Sequence, residues 1–439
     1  MEKTFSLISL GCAKNLVNSE QMLYLMDEAG FALVPSPEEA ELVIINTCGF
    51  INDAKSEAID TILEVAELRK SGWQGKIIVT GCLSERYKDS ILQELPEIDA
   101  VLGVGDYDKI VNAANSVLSG RGYSSFCGNS LPIDEIPRIV STGPSWAYLR
   151  IAEGCDNFCS FCAIPYIRGR YRSRKMENIL EEARDLAGHG IKEIIIIAQD
   201  ITRYGEDIYG KSCLAELCRE ISLIEGVEWI RLHYLYPDKI TDELIEEIAS
   251  NDKIVKYLDI PIQHINDSIL KKMNRRDTGE SIRVLFRKLR EKIPGLVLRT
   301  SLIAGLPGEG NEEFEELCEF LKEFRIERAG VFPFSPEEGT PAALMEHCEF
   351  EEAVRRAGLV NELQAEIMDD FCNSFIGKTI KVLCQYRDDE SGLLVGRSFA
   401  DSPDIDGEVR FEGRCTEGDF ALVYITSAEY GILYGEEIQ

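Results

Sequence analysis

The 439-residue chain has only 4 His, which leaves imidazole little part in whatever chemistry it performs. It has no apolar run approaching the about 20 residues that a membrane span requires. Basic residues are also short: 47 Lys plus Arg stand against 77 Asp plus Glu, for a formal charge of −30. Binding to a nucleic-acid backbone relies on clustered Lys and Arg, so the chain reads as a poor general nucleic-acid binder, whereas a basic partner or simple solubility suits the acidic balance. No disordered or low-complexity tract is evident, and 45% hydrophobic residues are ample for a buried core. The opening run MEKTFSLISLGC has an apolar stretch only from Phe5 to Leu10, and Glu2 cancels Lys3. It lacks the basic leader and long core of a signal peptide, and reads as the first β-strand of a cytoplasmic protein without membrane association.

What the chain has in plenty is cysteine, 14 in all, with no regular small-scaffold framework. In a long chain this favours metal or redox use over disulfides. Cys155, Cys159 and Cys162 sit in GCDNFCSFCAIP, a C-x3-C-x2-C spacing. Three thiolates this close cannot all pair with one another, and they are one short of closing a four-iron cluster. Such a set holds three irons and leaves the fourth open to a small molecule, which signals chemistry rather than structure. A structural zinc site is the alternative, but it needs a fourth Cys or His close by, and the next His is His189.

Three segments follow along the chain. Residues 1–125 alternate strand and helix: FSLISL, a helix through EQMLYLMDEAG with Asn15 as its cap and Gly30 as its stop, ELVIIN, a helix through DAKSEAIDTILEVAELRK, then KIIVT. This implies a parallel sheet with helices on its faces. Each of the three strands ends in a cysteine, at Cys12, Cys48 and Cys82, flanked by Gly11, Gly49 and Gly81. Parallel strands bring their carboxyl ends to one side, where open α/β sheets bind ligands. One such cysteine would read as a small buried residue; three at equivalent strand ends read as ligands of a second cluster. Residues 126–146, with Pro132, Pro137 and Pro144, read as a linker. Residues 147–370 repeat strand and helix: WAYLRI, EIIIIA, WIRLHY, YLDIPI, LVLRTSLIAG and RAGVFPF are six strands, each but the last followed by a helix. That is a partial (β/α)6 barrel, whose active site belongs at the carboxyl ends of its strands, where the first triad falls. Residues 371–439 become short strands with Gly and Asp turns, a small β-barrel of the oligonucleotide-binding sort. Residues 374–439 hold 6 Lys plus Arg against 13 Asp plus Glu, which points this barrel toward a basic protein rather than RNA.

GCDNFCSFCAIP closely resembles the radical S-adenosylmethionine signature, and the layout of the whole chain resembles the methylthiotransferases of that superfamily, which end in a TRAM domain. SLGCAKNLVNSE around Cys12, GFINDAKSEAI after Cys48 and CDNFCSFCAIPYIRGRYRSR are similar to the RimO branch, which modifies an aspartate of protein S-twelve in the small ribosomal subunit. The resemblance implies that Cys155, Cys159 and Cys162 hold a radical-generating 4Fe-4S cluster that binds S-adenosylmethionine. It implies that Cys12, Cys48 and Cys82 hold an auxiliary 4Fe-4S cluster carrying the sulfur to be transferred. One S-adenosylmethionine then donates a methyl group, and a second supplies the radical that takes hydrogen from the β-carbon of the aspartate. A reductant such as flavodoxin and an unidentified sulfur donor are implied as partners, with the substrate met free or within the ribosome.

Further candidates follow other strands. Gln199 and Asp200 end IIIIAQD, and Gln263 and His264 end PIQH, each placed to bind S-adenosylmethionine or substrate; Asp200 is equally suited to capping a turn. SLIAGLPGE, 301–309, offers backbone to an adenosyl group. IRGRYRSRK sets Arg168, Arg170, Arg172, Arg174 and Lys175 after the triad, either to hold carboxylates or as a solvated face; Arg275 and Arg276 are similar. The remaining cysteines have no ligand spacing and read as core. A tRNA methylthiotransferase with the same cofactors is the near rival, but a tRNA enzyme should present a basic track. An iron–sulfur electron carrier is the rival from another class, and the barrel with its open-iron triad argues against it.

Overall fold

The computed structural model describes residues 3–127, 129, 133 and 135–438. The chain forms two compact units: Met1–Ser141 with Ala152–Ser173 and Ser335–Ala343, and Thr142–Ile151 with Arg174–Phe334 and Leu344–Gln439. Among the described residues no helix is long and apolar enough to cross a membrane.

The first unit is built on a parallel sheet of β1 (Lys3–Ser9), β2 (Phe31–Leu33), β3 (Leu42–Thr47), β4 (Lys76–Gly81), β5 (Ala100–Leu102) and β6 (Tyr123–Ser125), in the order β2-β1-β3-β4-β5-β6. LVIINT of β3 is buried along its whole length, as a strand covered on both faces must be. Leu42 and Ile44 join Phe5, Met22 and Ile78 on one face, while Val43 and Ile45 join Ile62, Ile77 and Val79 on the other. Burying each such side chain fully contributes about 1.5–3 kcal/mol. The expected strands are β1, β3 and β4. The additional β2, β5 and β6 are three residues each, too short to show an alternation in sequence, and exist by pairing with longer neighbours. The strand order reverses between β1 and β3, so the chain leaves their carboxyl ends in opposite directions and opens a crevice there.

The helix after β1 spans Ala13–Glu28 with Cys12 at its N-cap position and no side-chain cap, and Asn15 lies inside it with its side chain bonded elsewhere. Gly30 follows it at φ +77°, the left-handed stop expected of it. The stretch after β6 holds no strand or helix among its described residues until Trp146, and Pro132 lies outside them. It is not a loose linker, however. The buried Glu20 carboxylate accepts from Ser141 N at 2.7 Å and Ser141 Oγ at 2.9 Å and pairs with Arg138, pinning this stretch to the helix.

The second unit begins with β7 (Trp146–Arg150). The chain then contributes β8 (Ala152–Glu153) and β9 (Arg172–Ser173), a two-stranded ribbon, to the first unit. β10 (Glu193–Ile197), β11 (Trp229–Leu232), β12 (Ile254–Asp259), β13 (Val297–Ala304) and β14 (Arg328–Pro333) complete a parallel sheet with β7, in sequential order and open between first and last. This is the expected partial barrel, and the helices Met176–Gly188, Leu214–Ser222, Asp242–Ser250, Gly279–Lys292 and Asn311–Phe324 separate its strands. One further helix, Phe350–Asn373, was not expected. Its buried face includes Arg356, bonded to Glu309, and Gln364, bonded to the Ile326 carbonyl at 2.9 Å, so polar residues blur its apolar period.

The chain ends in β15 (Thr379–Arg387), β16 (Leu394–Ser398), β17 (Val409–Glu412), β18 (Phe420–Glu429) and β19 (Ile432–Glu437), a closed barrel in the order β15-β16-β17-β19-β18. Its loop after β16 is tied to the parallel sheet by buried charges. Glu193 lies between Arg231 at 2.7 Å and Arg397 at 2.6 Å, and Arg231 also donates to the Phe399 carbonyl at 2.8 Å. Arg328 pairs with Asp401 at 2.6 Å, and the Tyr257 hydroxyl donates to Asp406 at 2.6 Å.

Candidate metal centres

Cys12 sits at the amino end of the helix Ala13–Glu28, Cys82 opens the helix Cys82–Tyr87, and Cys48 lies in the loop after β3. Glycines let these loops close on one another. At Gly11, φ +91°, a β-carbon would stand 2.7 Å from Cys48 Cβ and 3.2 Å from its Sγ. At Gly81, φ +100°, it would stand 2.4 Å from the Thr47 carbonyl oxygen, and at Gly49 2.7 Å from the Leu83 backbone. Only glycine fits such approaches.

Asn15, wholly buried, fastens the three loops. Its amide donates to the Leu10 and Thr47 carbonyls, both at 2.9 Å, and its Oδ1 faces Cys82 Sγ at 3.7 Å. One side chain therefore reaches the approaches to Cys12 and Cys48 and touches Cys82.

The second triad lies in the same compact unit. Gly154, φ +79°, packs so closely that a β-carbon would be 2.1 Å from the Arg170 carbonyl oxygen, and Phe158 adopts φ +49° between the first two cysteines. Such left-handed backbone in a non-glycine residue costs energy and is held by its surroundings; Arg170 stacks on the Phe158 ring at 4.6 Å. Cys155 N donates to the Gly169 carbonyl at 3.1 Å, and Cys162 N to the Cys159 carbonyl at 3.0 Å. The short helix Ile164–Arg168 then places Ala163 and Ile167 in one apolar cluster with Cys82.

Arg168 joins the two triads. Its side chain is 2% exposed; Nη1 donates to Glu153, beside the second triad, at 2.9 Å, and Nη2 donates to Asn15, beside the first. Burial works against its charge, but the anionic forms of Cys82 and Glu153 favour it. Burial also pushes Cys48 up to about 11, with repulsion from Cys82 and Cys12 adding to it, and burial raises Cys82. At Cys12 burial is outweighed by Lys14, Arg168 and backbone donors at the helix start, which bring the thiol below its ordinary value. Cys82 is buried and Cys12 and Cys48 are half-buried, and a cation among them would favour the thiolate forms that neighbouring thiolates oppose at Cys48 and Cys82.

Among the described residues, no three His, Cys, Asp or Glu side chains gather as ligands of a single metal ion. In a four-iron cluster each thiolate meets a different iron, so its ligands lie further apart. An all-sulfur donor set, glycine-lined loops and a buried guanidinium fit a cluster better than mononuclear zinc.

The basic run after the triad is mostly engaged within the protein. Arg168 is buried as described, Arg170 pairs with Asp156 at 3.3 Å, Arg172 donates to the Arg170 carbonyl at 3.0 Å, and Arg174 reaches the Arg150 carbonyl at 2.7 Å and Glu182 at 2.5 Å. Arg168 and Arg174 thus serve as internal braces, while Arg170 and Lys175 stay exposed, in keeping with the solvated-face alternative. Arg275 likewise donates to the Pro261 carbonyl at 2.8 Å and stacks on Tyr236 at 4.1 Å.

In the second unit, Gln199 and Asp200 follow β10, and the Asp200 carboxylate accepts from Thr202 N at 3.0 Å, the turn-capping role foreseen for it. Gln263 has φ +70°, and its backbone bridges to β13 through Ser301 and Ile303, which fixes the residue after β12 in a strained conformation. His264 is wholly buried: Nδ1 accepts from Asn266 N at 3.0 Å and Nε2 lies 3.3 Å from Glu309, itself paired with Arg356 at 2.9 Å. Despite its burial, the contacts with His264, Arg356 and Gly305 N hold the Glu309 carboxyl below its ordinary range. Sequence reasoning did not single out Glu153, or Asn15 as a tie between loops. Their only signal was position: Asn15 three residues after Cys12, and Glu153 two before Cys155.

Residues 4–103 match the uncharacterized protein family UPF0004, residues 149–321 the radical SAM superfamily and residues 376–438 the TRAM domain. The chain is 46% identical to the ribosomal protein uS12 methylthiotransferase RimO of Acetivibrio thermocellus, over 100% of this chain and 99% of that one. It is 49% identical to the proteins of the same name from Clostridium botulinum, over 99% of each chain, and Caldanaerobacter subterraneus, over 99% of this chain and 100% of that one. Among solved structures it resembles the radical S-adenosylmethionine methyltransferase TsrM of Kitasatospora setae, with a TM-score of 0.56 at 14% identity over 75% of this chain and 73% of that one. It also resembles the cobalamin-dependent S-adenosylmethionine radical enzyme OxsB, with a TM-score of 0.53 at 14% identity over 82% of this chain and 56% of that one. These two likenesses speak to the fold alone. The full-length identity to the curated relatives does more: the chain belongs to the RimO family of ribosomal protein uS12 methylthiotransferases.

Proposed function

We propose that this enzyme joins a methylthio group to the β-carbon of an aspartate in ribosomal protein uS12, using two 4Fe-4S clusters and two S-adenosylmethionine molecules. The observation that carries the reading is the presence of both cysteine triads in one compact unit, tied to a single buried arginine. Cys155, Cys159 and Cys162 would hold the cluster that works with S-adenosylmethionine, and Cys12, Cys48 and Cys82 the one that carries sulfur. Together these groups supply a methyl donor, a transferable sulfur and a radical able to take hydrogen from an sp3 carbon, which no side-chain base here can deprotonate.

The chain supplies thiolate ligands, exclusion of water and orientation. Burial of Cys82 and Cys155 and the apolar packing of Ala163 and Ile167 keep bulk water from the cluster loops. Gln199 and Gln263, at the carboxyl ends of β10 and β12, lie where a barrel of this kind binds its ligand and are assigned to S-adenosylmethionine or substrate. Asp200 and His264 serve the same place from behind, as the buried supports of those two turns. A one-electron carrier such as flavodoxin supplies the electron, and uS12 is met free or within the ribosome. The net charge of −30 supports a basic protein over tRNA as substrate.

Anaerobically reconstituted enzyme should contain about eight irons per chain, two cubes' worth. Replacing Cys12, Cys48 and Cys82 together by alanine should leave about four irons and still allow reductive cleavage of S-adenosylmethionine to 5′-deoxyadenosine. Mass spectrometry of a deletion strain should show the methylthio group missing from uS12 and retained on tRNA. Loss from tRNA alone would overturn the choice of substrate.

A further inference from the structure

Both triads lie in one compact unit, and one buried side chain serves them both. Arg168 ends the short helix that follows Cys162, and Ile167 beside it packs on Cys82. One arm of its guanidinium bonds Glu153, two residues before Cys155; the other bonds Asn15, which in turn holds the loops of Cys12 and Cys48. A cation is costly to bury unless anions meet it. Here Glu153 meets one arm of the guanidinium, and Asn15, the partner of the other arm, faces the Cys82 sulfur at 3.7 Å.

Resting on the two-cluster reading, we propose that Arg168 is a positioning and charge-balancing residue shared by the two cluster sites, linking the Cys82 side through Asn15 to the Cys155 side through Glu153. A rigid planar fork with fixed charge suits this role, since it sets distance as well as charge. A positive charge close to a cluster stabilises its reduced form, and a negative charge destabilises it.

The test is a reduction-potential titration of each cluster, followed by electron paramagnetic resonance, in reconstituted wild-type, Arg168→Gln, Arg168→Lys and Glu153→Gln enzymes, with iron content and thermal unfolding measured alongside. Arg168→Gln should shift the potentials to more negative values, Glu153→Gln should shift them to more positive values, and Arg168→Lys should lie between Arg168→Gln and wild type. A merely structural role would not give opposite signs. Variants that hold the wild-type iron content with unchanged potentials, or that shift in the same direction, overturn the role of Arg168. If Arg168→Gln does not fold, Arg168→Lys and Glu153→Gln still decide, because Glu153→Gln alone should move the potential upward and no shift there overturns the proposal. Wild-type enzyme with only about four irons overturns the two-cluster reading itself, an outcome distinct from the others.

Discussion

The side-chain amide of Asn15 donates at 2.9 Å to the carbonyl of Thr47, 32 positions along the chain and adjacent to Cys48. That bond, with its companion to Leu10, makes the carboxyl ends of β1 and β3 behave as one piece. Asn15→Ala leaves the buried Thr47 carbonyl and the part-buried Leu10 carbonyl short of a donor and should cost about 2–4 kcal/mol. Reconstituted iron should fall by about four per chain, the share of the first triad. Denaturant unfolding of the cluster-free protein and iron analysis check the two effects separately.

Gly81→Ala should be poorly tolerated. The residue needs φ +100°, and its new methyl group would meet the Thr47 carbonyl oxygen at 2.4 Å. The cost is about 2 kcal/mol or more, and Cys82 should lose its place beside Cys48. Gly30→Ala is the matched control: it has φ +77° but open space around it, so it should cost about 1 kcal/mol and leave the iron content unchanged.

Glu193→Gln removes the one anion between Arg231 and Arg397, all of them buried. Stripping a partner from such a set costs about 3–5 kcal/mol. Although burial acts in the other direction, the two arginines hold the Glu193 carboxyl below its ordinary value. Its contribution is thus present at neutral pH and lost as pH falls through that lowered value. The wild type should lose its advantage over Glu193→Gln in acid, as read by unfolding at several pH values.

Asp277 behaves in the opposite sense. Burial pushes its carboxyl up to about 6 from an ordinary 3.8, and Arg275, 3.9 Å away, only partly offsets this. The folded state binds the proton more tightly than the unfolded one, so stability falls as pH rises from about 4 to 6. At pH 7 the ionised carboxylate costs about 2–3 kcal/mol. Asp277→Asn should therefore raise the melting temperature at pH 7, and that gain should shrink toward pH 4.

The strands of the two parallel sheets were legible because buried strands are written as long apolar runs, such as EIIII of β10, and because their helices carry a clear apolar stripe. The cysteines were legible through spacing in one triad and through repeated position at strand ends in the other. What stayed hidden depended on tertiary partners. Asn15 reads as a helix cap until the chain brings Thr47 to it. Arg168 reads as one of five surface cations until Glu153 and Cys82 surround it. The helix Phe350–Asn373 was missed because its inward face uses Arg356 and Gln364. The charged contacts of the loop after β16 were missed for the same reason: a sequence gives no sign of which arginine will find which aspartate.

The unit holding all six cysteines of the two triads is assembled from three stretches of chain, the last being Ser335–Ala343. This last stretch is stitched in firmly: Glu337 binds Arg86 at 2.8 Å and Lys55 at 2.9 Å, and Ala342 N donates to the Ser160 carbonyl at 2.9 Å. During synthesis, then, the thiols of Cys12, Cys48 and Cys82 are made long before the walls that will enclose them. The unit around these thiols is complete only once the chain has passed Ala343. A cluster held by these thiols would then be completed late in the life of the nascent protein, in an order set by chain connectivity.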